Sequence, residues 1–180
     1  MKTSMMVGIV LMSVLPMLAQ VVADAPKVPA ALVHVTNKFI LVVNAPLRDA
    51  FPLFGPEGER VWAGKHWEPK FLFPQPSKDI QGAVFTVLHG TQKVVWVNTL
   101  FDVDAGRIQY VYFIPDALVT TIDLHLEAAS VTTTNVEVTY TRTALSEETN
   151  EHVQALGQND RDSGKDWEGS INAYLRARGR

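Results

Sequence analysis

Five histidines, at positions 34, 66, 89, 125 and 152, are the first groups to consider for chemistry, because imidazole titrates near neutrality. No two of them show the close spacing of a helical zinc motif, and a chain without cysteine has no thiolates for a closed structural zinc site. Asp123-Leu124-His125-Leu126-Glu127 sets three polar side chains on one face of a strand, which reads as a solvated stripe. No metal is therefore expected. No serine elbow, phosphate loop or dinucleotide fingerprint occurs, and no cofactor is expected either. The best general acid/base candidates are His66, which stands between Trp62 and Trp67, and His89, which ends an apolar strand. Nothing in the sequence supplies either ring with a partner.

Those histidines belong to an aromatic setting. From Ala45 to Pro74 the chain reads APLRDAFPLFGPEGERVWAGKHWEPKFLFP, which is too rich in rings, prolines and glycines to be a simple hairpin. It reads either as a lid that forms one wall of a small-molecule pocket or as a connector whose rings plug the end of a core.

The elements that would hold such a lid start after an N-terminal targeting signal. Lys2, an apolar run from Met5 to Ala19 and small residues around Ala23 have the layout of a secretory signal peptide over 1–23. A span needs about 20 apolar residues, and Pro16 and Gln20 interrupt this run, so an uncleaved anchor is the weaker alternative. Residues 24–31 form an extended leader, and 32–180 a single domain. Localisation is expected to be exported, periplasmic or secreted, with no stable membrane span once the signal is cleaved. Loss of Lys2 moves the formal net charge from -3 to -4. Phosphate binding needs a basic face, so nucleic acid is excluded as an expected partner. Without cysteines, disulfides are impossible and stability must come from a packed core.

The middle of the chain is a series of strands whose turns set their registers. Gly90-Thr91 suits a type II′ hairpin that pairs Val87 with Val94 and Phe85 with Trp96. The turn centred on Asp104 pairs Leu100 with Ile108, Asn98 with Tyr110 and Trp96 with Tyr112. A short loop at Pro115-Asp116-Ala117 pairs Tyr110 with Ile122 and Ile108 with Leu124. A looser turn over 128–134 then pairs Leu124 with Val138 and Ile122 with Tyr140. One apolar face persists through every step, whereas a one-residue slip would have moved it to the other side. Thr121, Asp123, His125, Glu137 and Thr139 occupy the opposite face, which points to solvent.

Helices must cover the apolar face. Ser146 can cap a long C-terminal helix in which Trp167, Ile171, Tyr174 and Leu175 recur at helical spacing. Its middle, Gly157 to Lys165, is polar and holds two glycines, which predicts a break, a wetter entrance or a solvated kink. Leu32–Val43 reads as the first strand. Asn44 or Ala45 then caps a short helix with Pro46 in its first turn, and a further turn lies near Glu57–Ala63.

In this order the pieces resemble the START-related, or SRPBCC, superfamily of helix-grip proteins, and within it the polyketide cyclase/dehydrase-like group. The likeness rests on Asn44-Ala45-Pro46, AFPLFGPEGERVWA from Ala50 to Ala63, Trp67-Glu68-Pro69, VVWV from Val94 to Val97, RIQYVYFIP from Arg107 to Pro115 and VEVTYTRTALSEETN from Val136 to Asn150. It implies an α+β helix-grip fold: an antiparallel sheet of about seven strands wrapped on a long C-terminal helix, with two short helices after the first strand. It also implies an internal cavity between helix and sheet.

By register, that cavity takes Phe85, Trp96, Tyr110, Tyr112 and Tyr140 from the sheet, with Trp62 and Trp67 from the lid and Trp167 from the helix. Asn98 is the one amide on this face and needs a partner, either Tyr110, a water or a ligand. Two functions fit. One is an exported binding or carrier protein that encloses a hydrophobic small molecule, a lipid or an aromatic, polyketide-like compound. The other is a cyclase-, dehydratase- or hydrolase-type enzyme that uses the same cavity with a histidine or tyrosine as acid/base. A filled core with no cavity remains a third reading, and the oligomeric state is not set by the sequence.

Overall fold

A computed structural model describes residues 31–179. The expected signal segment over 1–23, all of the leader except Ala31, and Arg180 lie outside the described residues.

Seven strands form one antiparallel sheet. They are β1 (His34–Val43), β2 (Lys70–Phe73), β3 (Val84–His89), β4 (Gln92–Asp102), β5 (Arg107–Ile114), β6 (Leu118–Ala128) and β7 (Thr134–Ala144), in the spatial order β1-β7-β6-β5-β4-β3-β2. A helix α1 (Leu47–Ala50) and 3-10 turns at Phe51–Phe54 and Gly58–Val61 follow β1, and α2 (Asn150–Ala177) closes the chain. This is the helix-grip architecture. Among the described residues no helix is long and apolar enough to cross a membrane.

The expected registers hold at every pair except one. Phe85 faces Trp96, Trp96 faces Tyr112, Tyr110 faces Ile122 and Ile122 faces Tyr140. Gly90 has a φ of 62°, the left-handed value that the first position of its two-residue loop demands. The exception is Leu100, which pairs with Gln109 instead of Ile108 because a bulge intervenes between Asn98 and Leu100. The extra residue rotates the strand, so Phe101, opposite Ile108, turns to the core and meets Phe51 with ring centroids 5.0 Å apart. Burial alternates cleanly along β6, with Ile122 and Leu124 buried and Asp123 and His125 partly exposed. Strand β2 lies within the stretch read as lid and pairs with β3.

The expected break in the C-terminal helix does not occur. α2 runs unbroken through Gly157 to Lys165. Gly157 and Gly164, two turns apart, lie on the buried face against β1. A Cβ on Gly157 would stand 2.8 Å from Asn37 Nδ2, and one on Gly164 would stand 3.0 Å from Phe39 Cδ2. The glycines therefore let helix and strand approach closely. Further along, α2 also covers the free edge of β1. Glu168 accepts from the Val42 N–H at 2.8 Å, while Asn172 accepts from the Asn44 N–H and donates to the Val42 carbonyl, each at 2.8 Å. Satisfying these edge groups removes a template for unwanted strand pairing.

Candidate ligand-binding site

Between the lid, the sheet and α2 lies a cavity of about 330 Å³, at the small end of the range of ligand sites. Glu59, Trp62, His66 and Trp67 enter from the lid, Trp96 from β4, Tyr110 from β5, Ile122 and Leu124 from β6, Tyr140 from β7, and Asp166, Trp167 and Ser170 from α2. All four tryptophans of the sequence line this one space. Alternation along the strands brings the sheet residues to one side, and the 3-10 turn at Gly58–Val61 with the segment that follows it carries the lid residues over them.

The rings brace one another. Trp96 stacks on Tyr112 with centroids 4.2 Å apart, and Trp67 meets Trp96 edge to face at 5.5 Å and 89°. Trp62 packs against Trp167 with centroids 5.1 Å apart. Backbone carbonyls fix the lid rings, since Trp62 Nε1 donates to Leu53 O at 2.6 Å and Trp67 Nε1 to Pro56 O at 2.9 Å. Trp96 Nε1 is buried with no partner among the described residues. An unpaired buried donor of this kind costs about 1–3 kcal/mol.

The structure separates the expected site residues into four groups. Trp62, His66, Trp67, Trp96, Tyr110, Tyr140 and Trp167 meet in the cavity. Phe85 is fully buried behind them, stacked on Trp96 at 6.0 Å and on Phe71 at 5.6 Å. Tyr112 and His89 face a neighbouring, more open hollow together with Arg142. Asn98 departs from expectation, because it is fully buried and lines neither space. Its amide nitrogen donates to Leu100 O at 2.6 Å and to Gln109 O at 3.0 Å, which stitches the bulge. Its expected partner Tyr110 instead donates to Phe54 O at 2.6 Å and so ties β5 to the lid.

The two histidines differ in setting. His66 is exposed at the cavity rim with no hydrogen bond to its ring among the described residues. His89 sits against Tyr112 and Trp96, with centroids 5.1 and 5.7 Å away. Burial, and then the charge of Arg142, lowers its pKa from the usual imidazole value, so the ring is neutral at neutral pH. Among the described residues no cluster of three or more His, Asp or Glu side chains is arranged to hold a metal ion.

Two polar features were not anticipated. Glu59 is 7 % exposed and lines the cavity, and no hydrogen bond or ion pair reaches its carboxyl among the described residues. Burial, followed by the charge of Asp79, pushes its pKa well above the ordinary carboxyl value. Asp79 is itself raised by burial, even though the Glu57 and Gly58 N–H groups donate to it at 2.9 and 3.3 Å. The second feature is the buried pair of Arg142 on β7 and Asp160 on α2. Arg142 also donates to Tyr112 Oη at 2.7 Å and Thr120 Oγ1 at 2.9 Å, and its guanidinium lies 4.7 Å from the centre of the Tyr140 ring. Burial works against its charge, and Asp160 and Tyr112 together more than offset this. Period-two counting from Val138 through Tyr140 already puts position 142 on the inner face.

No family model matches the sequence, and no curated protein matches it. Solved structures do. Norcoclaurine synthase from Thalictrum flavum, in complex with dopamine and hydroxybenzaldehyde, superposes with a TM-score of 0.59 at 10 % identity over 81 % of this chain and 88 % of that one. A protein from Thermobifida fusca solved by NMR gives 0.57 at 19 % identity over 78 % and 93 % of the two chains. Ara h 8.0201 gives 0.55 at 16 % identity over 78 % and 99 %. At such identities the likeness is one of fold, and the fold is the helix grip.

Proposed function

We propose that this protein is an exported binder or carrier that encloses a small hydrophobic molecule in the cavity between lid and sheet. The observation that carries this reading is the convergence of all four tryptophans, from the lid, the sheet and the C-terminal helix, on one space of about 330 Å³. A space of that size favours a compact aromatic or polyketide-like compound, or a small lipid. The norcoclaurine synthase complex, of the same fold, also carries small aromatic molecules. Affinity would come from burying apolar ligand surface, at about 25 cal/mol per Å² before the costs of ordering. Stacking on the rings would add shape selectivity. The targeting layout of the first 23 residues supports action outside the cytoplasm.

Mass spectrometry of compounds extracted from the natively purified protein tests this reading. A co-purifying hydrophobic compound that returns to the emptied protein in one-to-one ratio supports it. A protein that carries nothing and does not take up the neutral probe N-phenylnaphthylamine contradicts it.

A further inference from the structure

A purely hydrophobic ligand leaves Glu59 unexplained. Removing a carboxyl from water is expensive unless it finds a partner, and this one has none among the described residues although it lines the cavity. A ligand is then the natural source of that partner. It can offer either a hydrogen-bond acceptor or a positive charge, and the surroundings favour the charge.

Three observations point that way. First, tryptophan faces are the best neutral surroundings for a cation, and Trp62, Trp67, Trp96 and Trp167 border the same space. Second, a further carboxylate, Asp166, stands at the rim, and among the described residues no lysine or arginine lines the cavity to compete. Third, Arg142, the cation against Tyr140, is already neutralised by two hydrogen bonds to Asp160, each of 2.7 Å. The space thus joins largely aromatic and apolar walls to two carboxyl groups, with the exposed His66 ring at its rim.

We propose that the cavity selects small molecules that join an aromatic or apolar body to a protonated amine, with the Glu59 carboxylate as counter-ion and the tryptophan rings around the ammonium group. This rests on the reading of the cavity as a ligand site and names the class of ligand. Once the ammonium group enters, the ionised carboxylate is compensated, and both charges gain from the low dielectric of the pocket. Anionic analogues of the same shape meet two carboxylates and, among the described residues, no lysine or arginine.

The test compares three probes of nearly equal shape, phenethylamine, phenethyl alcohol and hydrocinnamate, by calorimetric titration of the full mature protein and its Glu59→Gln variant. The expected order is amine tightest, by about tenfold over the alcohol, with hydrocinnamate weakest. Glu59→Gln should reduce the amine to the affinity of the alcohol and leave the alcohol within about twofold. Equal binding of amine and alcohol by the parent protein overturns the proposal, and this comparison needs no variant. A preference for the amine that survives in Glu59→Gln also overturns it. In either case the cavity still stands as a neutral apolar site. Failure of all three probes while N-phenylnaphthylamine binds removes the amine assignment alone, and failure of every probe removes the cavity reading with it.

Discussion

The Asp160 carboxylate receives two hydrogen bonds from the Arg142 guanidinium, from Nε and Nη2, each at 2.7 Å. This pair ties the middle of α2 to the inner face of β7 beside the cavity, with the two side chains only 6 % and 8 % exposed. Removing one member leaves the other charge buried and uncompensated. Asp160→Ala is therefore expected to cost about 3–5 kcal/mol in denaturant unfolding, and replacing both residues by apolar ones should recover most of it. A loss below about 1 kcal/mol would show the pair to be dispensable.

Glu59 gives a pH signature. In the unfolded chain its pKa is near 4.3, and folding raises it, first through burial and then through the charge of Asp79. Below the unfolded value both states hold the proton and no penalty arises. As pH rises from there toward the folded value, the unfolded chain releases a proton that the folded protein keeps, so stability falls. Glu59→Gln removes this fall. Its stability relative to the parent should be greater at about pH 8 than at about pH 5 in urea unfolding, while the similar contribution of Asp79 is common to both proteins. A difference that does not change with pH would mean that Glu59 ionises as freely folded as unfolded.

Trp96 and His66 should contribute unequally to binding. Trp96 is buried in the ring cluster, 6 % exposed, whereas His66 stands exposed at the rim. Trp96→Ala is expected to weaken binding of N-phenylnaphthylamine by tenfold or more, and His66→Ala by about twofold at most. Equal or reversed losses would move the ligand out toward the rim.

The glycines of α2 provide a test of helix packing. Alanine in a helix interior is normally about 1 kcal/mol better than glycine. Gly169→Ala meets nothing within 4 Å and should gain close to that amount. Gly164→Ala would bring its methyl group to 3.0 Å from Phe39 Cδ2 and 3.3 Å from Phe39 Cβ, so it should gain nothing or lose stability. Equal gains at both positions would show that α2 has room to move away from β1.

Much of the fold could be read from turn chemistry and alternation. Gly90-Thr91 and Pro115-Asp116-Ala117 set the β3–β4 and β5–β6 registers, and a one-residue slip at either would have turned part of the apolar face that holds Trp96, Tyr110 and Ile122 to solvent. The bulge near Asn98 carries no glycine or proline to announce it, so Asn98 looked like a cavity group when it serves the backbone. Arg142 and Asp160 each resemble surface charges in their own segments, and only their meeting across the core accounts for either. The polar run from Gly157 to Lys165 likewise makes sense only against Val35, Asn37 and Phe39 of β1. Glu59 sits in Pro56-Glu57-Gly58-Glu59-Arg60, where its neighbours Glu57 and Arg60 pair on the outside, at 3.1 Å, and the turn sends Glu59 inward. Local composition does not encode which carboxylate of such a turn faces in.

The four indole N–H groups make the central claim directly measurable, since each belongs to a residue that lines the cavity. Proton–nitrogen NMR spectra would be followed as N-phenylnaphthylamine is added. If the cavity is the binding site, the signals of Trp62, Trp67, Trp96 and Trp167 shift saturably with a common midpoint, while amides on the outer face of the sheet, such as those of Thr121 and Asp123, stay in place. If no indole signal shifts saturably, or the shifts are confined to that outer face, the cavity is not the ligand site.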